Sequence, residues 1–180
     1  MHIGAIFLFL LQKVPYFDKL TIYTISTKEE EYMLEYEITE DTCALIAIND
    51  SCTKIVELDN EIILNTSTLK ILDYSCKYYG SSYNGRKEGS ISILKNIYKI
   101  PIIVEESRNI IFFPISSPRY HNSTWISVRN IKSCRKIEKN TEITFKNGKK
   151  MIFKISYSSL QNQILRASYL EMIFLSRKSL

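Results

Sequence analysis

The apolar residues of this chain fall mostly in short runs rich in Ile, Val, Tyr and Phe, separated by polar or proline-containing breaks. Cys43–Ile48, Lys54–Leu58, Ser90–Tyr98, Ile102–Val104, Ile110–Phe113 and Trp125–Ile131 each read as strands. So many short segments in sequence imply a largely antiparallel sheet. One hairpin can be placed by parity. Ile143 and Phe145 precede the Asn147-Gly148 pair, Met151, Phe153 and Ile155 follow it, and all five carry odd numbers. A two-residue loop would pair residues of opposite parity and split these apolar sets between two faces. A three-residue loop, Lys146 to Gly148 with Gly148 left-handed, keeps them on one face and is the expected form. The other face then carries Lys150 and Lys154, with Lys146 and Lys149 at the tip. A ribbon of this kind is either the wet face of a sheet or an element that enters a DNA groove.

Two stretches change from a period of two to a helical one. The first runs over about 68–79, with Ser67 as cap, Gly80 as stop, and Leu69, Leu72, Cys76 and Tyr79 on one face. The second covers about 158–176, opened by a Ser158/Gln161 capping-box pattern and continued through Leu160, Ile164, Ala167, Leu170 and Phe174. Arg166, the lone cation in its middle, reads as a surface residue. The expected class is therefore α+β, a mainly antiparallel sheet with two helices, one of them C-terminal.

With 180 residues and 45% of them apolar, the chain has the size and core material of a single domain. Charge divides it more sharply than hydropathy does. Residues 1–69 hold 4 Lys and Arg against 12 Asp and Glu, net −8; residues 70–180 hold 20 against 7, net +13. A field of that sign attracts polyanions and speeds encounter with them. The bland alternative is a solvated lysine-rich face.

Cys43, Cys52, Cys76 and Cys134 form no C-x-x-C pair, and the only histidines are His2 and His121. This spacing argues against zinc and for free thiols in a reducing cytoplasm. The apolar run Ile3–Leu11 lacks a preceding Lys or Arg and a small-residue cleavage site, and is too short to span a bilayer. It reads as a buried strand or as an extension outside the domain.

Three of the five glycines, Gly80, Gly85 and Gly89, lie within ten residues, in GSSYNGRKEG at 80–89. Clustered glycine after a helix lets backbone turn tightly or approach a ligand closely. The neighbouring Arg86, Lys87 and serines make phosphate the natural ligand for such a loop, if it has one. The plain alternative is a tight helix-to-strand connection with exposed charges. The match to a nucleotide-binding P-loop, suggested by the gap between Gly80 and Gly85, fails at the next two positions: Arg86 stands where the motif needs lysine, and Lys87 where it needs the magnesium-binding hydroxyl.

The segment ILDYSCKYYGSSYNGRKEG at 71–89 resembles the central signature of the ComK family, the competence transcription regulators of Firmicutes. Pro114, the tripeptide Trp125-Ile126-Ser127, the turn FKNGK at 145–149 and ISYSSLQNQ at 155–163 are similar to later motifs of that family, in the same order. The resemblance covers about 35–177. It implies a cytoplasmic, nucleoid-associated activator that binds paired AT-rich promoter boxes upstream of DNA-uptake and recombination genes as cooperating dimers, approaching through the minor groove and needing no cofactor. A narrow AT-rich minor groove concentrates negative potential and favours inserted Arg or Lys. On charge and loop chemistry the first candidates for DNA contact are Arg86 and Lys87, then Lys77 and Arg129, with Lys146, Lys149 and Lys150 from the hairpin.

Residues 1–33 are expected to be an extension outside a single ComK-like domain at 34–180, with translation starting at Met1 or at Met33. The family commonly continues past the position of Leu180 with a charged tail linked to activation and to capture by a Clp protease adaptor. Both properties therefore stay open, as does a relative that binds DNA or dimerises without activating transcription. Catalysis is not expected: G-x-S-x-G and H-E-x-x-H are absent. A Cys76–His121 pair is the one conceivable nucleophile and base.

Overall fold

A computed structural model of the chain describes residues 36–95, 98–117 and 123–178. The Ile3–Leu11 run, the expected extension at 1–33 with its alternative start at Met33, and His121 lie outside the described residues. Among the described residues nine strands and three helices follow in order: β1 (Thr42–Asn49), β2 (Cys52–Glu57), β3 (Glu61–Leu64), α1 (Thr68–Tyr78), α2 (Tyr83–Leu94), β4 (Ile102–Glu105), β5 (Ile110–Pro114), β6 (Trp125–Ser127), β7 (Ile131–Ile137), β8 (Asn140–Phe145), β9 (Lys150–Phe153) and α3 (Tyr157–Lys178). All strand pairs are antiparallel. The class is α+β, as the pattern implied.

The strands form two sheets, one of six in the order β3-β2-β1-β6-β5-β4 and one of three in the order β7-β8-β9. The larger sheet is apolar on both faces, which is why its central strands read as continuous apolar runs rather than alternating ones. Leu45, Ile55, Ile102, Phe112 and Trp125 point to one side, where Ile71, Leu72 and Cys76 of α1 cover them. Ala44, Val56, Ile103, Phe113 and Ile126 point to the other, where Phe145 and Phe153 of the small sheet and Leu160, Ala167 and Leu170 of α3 pack on them. Gln163 anchors α3 from a buried position. Its amide donates to the carbonyls of Pro114 (2.8 Å) and Lys99 (3.1 Å), so a polar side chain in a core-facing helix is satisfied.

The chain crosses between the sheets at Asn130, also buried. Its side-chain amide donates to the carbonyls of Glu40 (2.8 Å) and Thr42 (3.0 Å), while its own carbonyl accepts from the Lys146 amide (3.0 Å). One residue thus joins the start of β1 to the hairpin of the small sheet.

Four expectations need correction. The strand expected over Ser90–Tyr98 is not formed at its start, since α2 continues to Leu94 and ends on Lys95 in the left-handed region, φ 52°, and residues 96–97 lie outside the described residues. The glycine segment is likewise mainly helix, because Ser82 caps α2 by accepting from the Gly85 amide at 3.1 Å. Only Tyr79–Ser82 connects α1 to it, with Gly80 at φ +81° making the turn. The run Trp125–Ile131 is divided between β6 and β7, which belong to different sheets. The cap of α3 also lies two residues before the expected Ser158: Ser156 Oγ accepts from the Ser159 amide at 3.2 Å.

Candidate nucleic-acid interface

The hairpin takes the form that parity required. Ile143 pairs with Met151 and Thr141 with Phe153, Lys146 to Gly148 make the loop, and Gly148 has φ +85°. Because the inward residues of β7, β8 and β9 meet the core, the outward ones form a single wet surface: Ser133 and Arg135 from β7, Glu142 and Thr144 from β8, Lys150 and Ile152 from β9, then Lys154 just beyond. Residues 129–155 carry nine Lys and Arg against Glu138 and Glu142, net +7. More than half of the +13 excess therefore belongs to this sheet and its turns. Glu142 is covered from one side by Arg135, 3.1 Å away, which removes the one carboxylate from the middle of the face.

The seven candidate cations are not brought together. Lys146 and Lys150 are exposed on the hairpin, and neither has an ion-pair partner among the described residues. Lys149 turns instead toward the large sheet, where it pairs with Glu61, which also holds Lys54 at 2.6 Å. Burial, together with the Lys54 charge, holds the Lys149 ammonium below its ordinary range. Asn147 donates to the Leu58 carbonyl, so the tip is tied at two points rather than free. Beside it a cleft of about 260 Å³ is lined by Glu57, Asp59 and Glu61 together with Lys149, so acid and cation offset one another there. Arg129 bridges Glu40 (3.2 Å) and the Arg108 carbonyl (2.6 Å).

The remaining three lie on the α1–α2 unit. Lys77, in the last turn of α1, pairs with Asp73 at 2.7 Å yet is 65% exposed. Burial pushes the Asp73 carboxyl up, but bonds from Lys77 and the Tyr83 amide outweigh it and hold the group below its usual range. Lys87 is half-buried on α2 with no ion pair among the described residues. Arg86 is only 13% exposed. Its guanidinium pairs with Glu106 and donates to the Tyr79 carbonyl at 3.1 Å, and Lys178 reaches the second Glu106 oxygen at 3.6 Å. This is a strut that fixes α2 against the β4–β5 turn and the end of α3. Its helical setting is what charge and glycine spacing could not reveal.

What sequence reasoning missed is the part played by β7. Its run IKSCRKI alternates poorly because the register shifts between Ile131 and Ser133, a bulge at Lys132. Counting charge by element rather than by half-chain is the signal that finds it. Cys76, the conceivable nucleophile, is fully buried, and desolvation pushes its thiol up to about 12. Among the described residues there is no cluster of ligands able to hold a metal ion and no helix long and apolar enough to cross a membrane.

The described residues thus form an α+β core that turns a cationic antiparallel sheet to solvent. The ComK protein family matches residues 33–179, and the chain belongs to that family. The competence transcription factor of Bacillus subtilis (strain 168) is 37% identical over 157 residues, covering 85% of this chain and 82% of that protein. No solved structure matches.

Proposed function

We propose that this chain is a regulator of competence transcription that binds AT-rich duplex DNA through the outer face of the β7-β8-β9 sheet and so activates DNA-uptake and recombination genes. The observation that carries the reading is the net +7 of residues 129–155, eight of whose nine cations are exposed on or beside a sheet whose other face is buried in the core. Membership of the ComK family supports the regulatory role. Lys146 and Lys150 are the direct phosphate contacts in this reading, with Lys77 and Lys87 on the α1–α2 unit as a second group. Arg86, Arg129 and Lys149, each paired within the protein, hold neighbouring elements in place. Paired boxes also call for two copies per promoter.

A mobility shift on AT-box DNA beside a GC-rich duplex of equal length, titrated with salt, tests it. With about six phosphates neutralised, affinity falls on the order of a thousandfold between about 50 and 200 mM salt, while preference for the AT boxes persists. Equal affinity for both duplexes at every salt concentration defeats specific readout. A reporter driven by the boxes separates activation from binding alone.

A further inference from the structure

The face just described contains one large apolar side chain. Ile152 is 59% exposed in β9, with exposed Lys150 two residues before it on the same face and exposed Lys154 two residues after it, just past the strand end. In register it follows Arg135 and Glu142 across the three strands. Single exposed isoleucines are common and need no explanation by themselves; Ile48 and Ile63 on the large sheet are exposed to a similar extent. Ile152 differs from them in its surroundings. It stands between two cations with no ion-pair partner among the described residues, on a strand whose neighbouring residue, Phe153, is locked into the core.

Resting on the DNA-binding reading above, we infer that Ile152 is an apolar wedge that enters a base step from the minor-groove side and selects flexible AT-rich DNA. Lys150 opens β9 and Lys154 follows directly on its last residue, Phe153. With their long stems on either side of Ile152, the two ammonium groups reach phosphates on opposite walls of a minor groove about 6 Å wide while Ile152 points at the floor. A β-branched side chain has few rotamers to lose on insertion, and the ladder to β8 holds its backbone rigid. Unstacking is easiest at pyrimidine–purine steps such as TA, which are frequent in AT-rich boxes. Selectivity then arises from deformability, without a hydrogen bond to any base, and Ile152 is the residue that sets it.

The test uses duplexes carrying 2-aminopurine at single positions in an AT box, titrated with the full chain and with Ile152→Thr, which keeps β-branching and charge. The full chain brightens the probe at one step. Ile152→Thr loses that signal and about tenfold in affinity for the AT box, while binding a GC-rich duplex as before. Ile152→Leu restores brightening, and Ile48→Thr leaves it intact. Brightening that survives in Ile152→Thr, or full-chain binding without any brightening, overturns the wedge and leaves DNA binding standing. A loss of affinity on replacing thymine by uracil, absent in Ile152→Thr, makes Ile152 a major-groove methyl contact and also overturns it. If the full chain binds neither duplex, the DNA-binding reading fails and the wedge with it.

Discussion

The two sheets are built from the same kinds of strand yet are used in opposite ways. The six-stranded sheet has both faces covered, one by α1 and one by α3 with the small sheet, and its strands keep Phe112, Phe113, Trp125 and Ile126 almost wholly from water. The three-stranded sheet gives only one face to that core and leaves the other wet, cationic and nearly free of apolar groups. Burial on both faces commits the first sheet to stability, because few of its side chains can change without a cavity or an unpaired polar group. The second is free to vary its outer residues, and that is where chemistry can be placed at little cost to folding.

The sharpest way to break this division is at its joint. Asn130→Ala leaves the Glu40 and Thr42 carbonyls without their donor in a buried setting, and is expected to lower unfolding free energy by about 1–3 kcal/mol, measured by urea denaturation. The same experiment on Lys150→Ala/Lys154→Ala is expected to change stability by less than about 0.5 kcal/mol. DNA affinity in that double variant should nevertheless fall by about 1–3 kcal/mol, and the slope of log affinity against log salt should shrink by about 2. Arg86→Ala should do the reverse, costing roughly 1–2 kcal/mol of stability by taking the guanidinium away from Glu106 and from the Tyr79 carbonyl, and leaving the salt slope unchanged. A salt slope that moves with Arg86 and not with the lysine pair would exchange the roles assigned to the two regions.

Charge explains why the regions were only partly legible beforehand. Odd-numbered apolar residues around Gly148 set the hairpin register without help from the fold, and Ser67 with Gly80 marked both ends of α1. By contrast α2 carries Gly85 and Gly89, has Ser90 as its one fully buried residue, and is held by tertiary bonds through Arg86 and Tyr83 rather than by an apolar stripe. Local propensity argues against a helix there, and tertiary contacts override it. The two groups of cations looked alike in sequence because a partner such as Glu106, twenty residues from Arg86, cannot be read from spacing.

The smallest expected effect concerns acid. Asp73 and Glu105 are pushed up by burial, but hydrogen bonds outweigh it, from Lys77 and the Tyr83 amide for the first and from Ser107 and the Arg108 amide for the second. Their carboxyls therefore titrate lower in the folded chain than in the unfolded one. Their contribution is complete above the unfolded value, about 4, and disappears as pH falls through the folded values. Stability by urea denaturation should be level from about pH 7 to pH 5 and decline below about pH 4. Asp73→Asn should make that decline shallower.

The tie between the hairpin tip and the β2–β3 turn has a directional consequence. Lys149 and Lys54 are both drawn into ion pairs with Glu61, beside Glu57 and Asp59, so the cationic character of the small sheet is uneven: free over its strands and largely offset at the end where Asn147 meets Leu58. A duplex laid across the sheet would gain less from that end than from the strands, and its axis would be drawn away from the β2–β3 turn. Two copies on neighbouring boxes would carry the same bias, and the spacing between boxes would then set how their hairpin ends stand to one another.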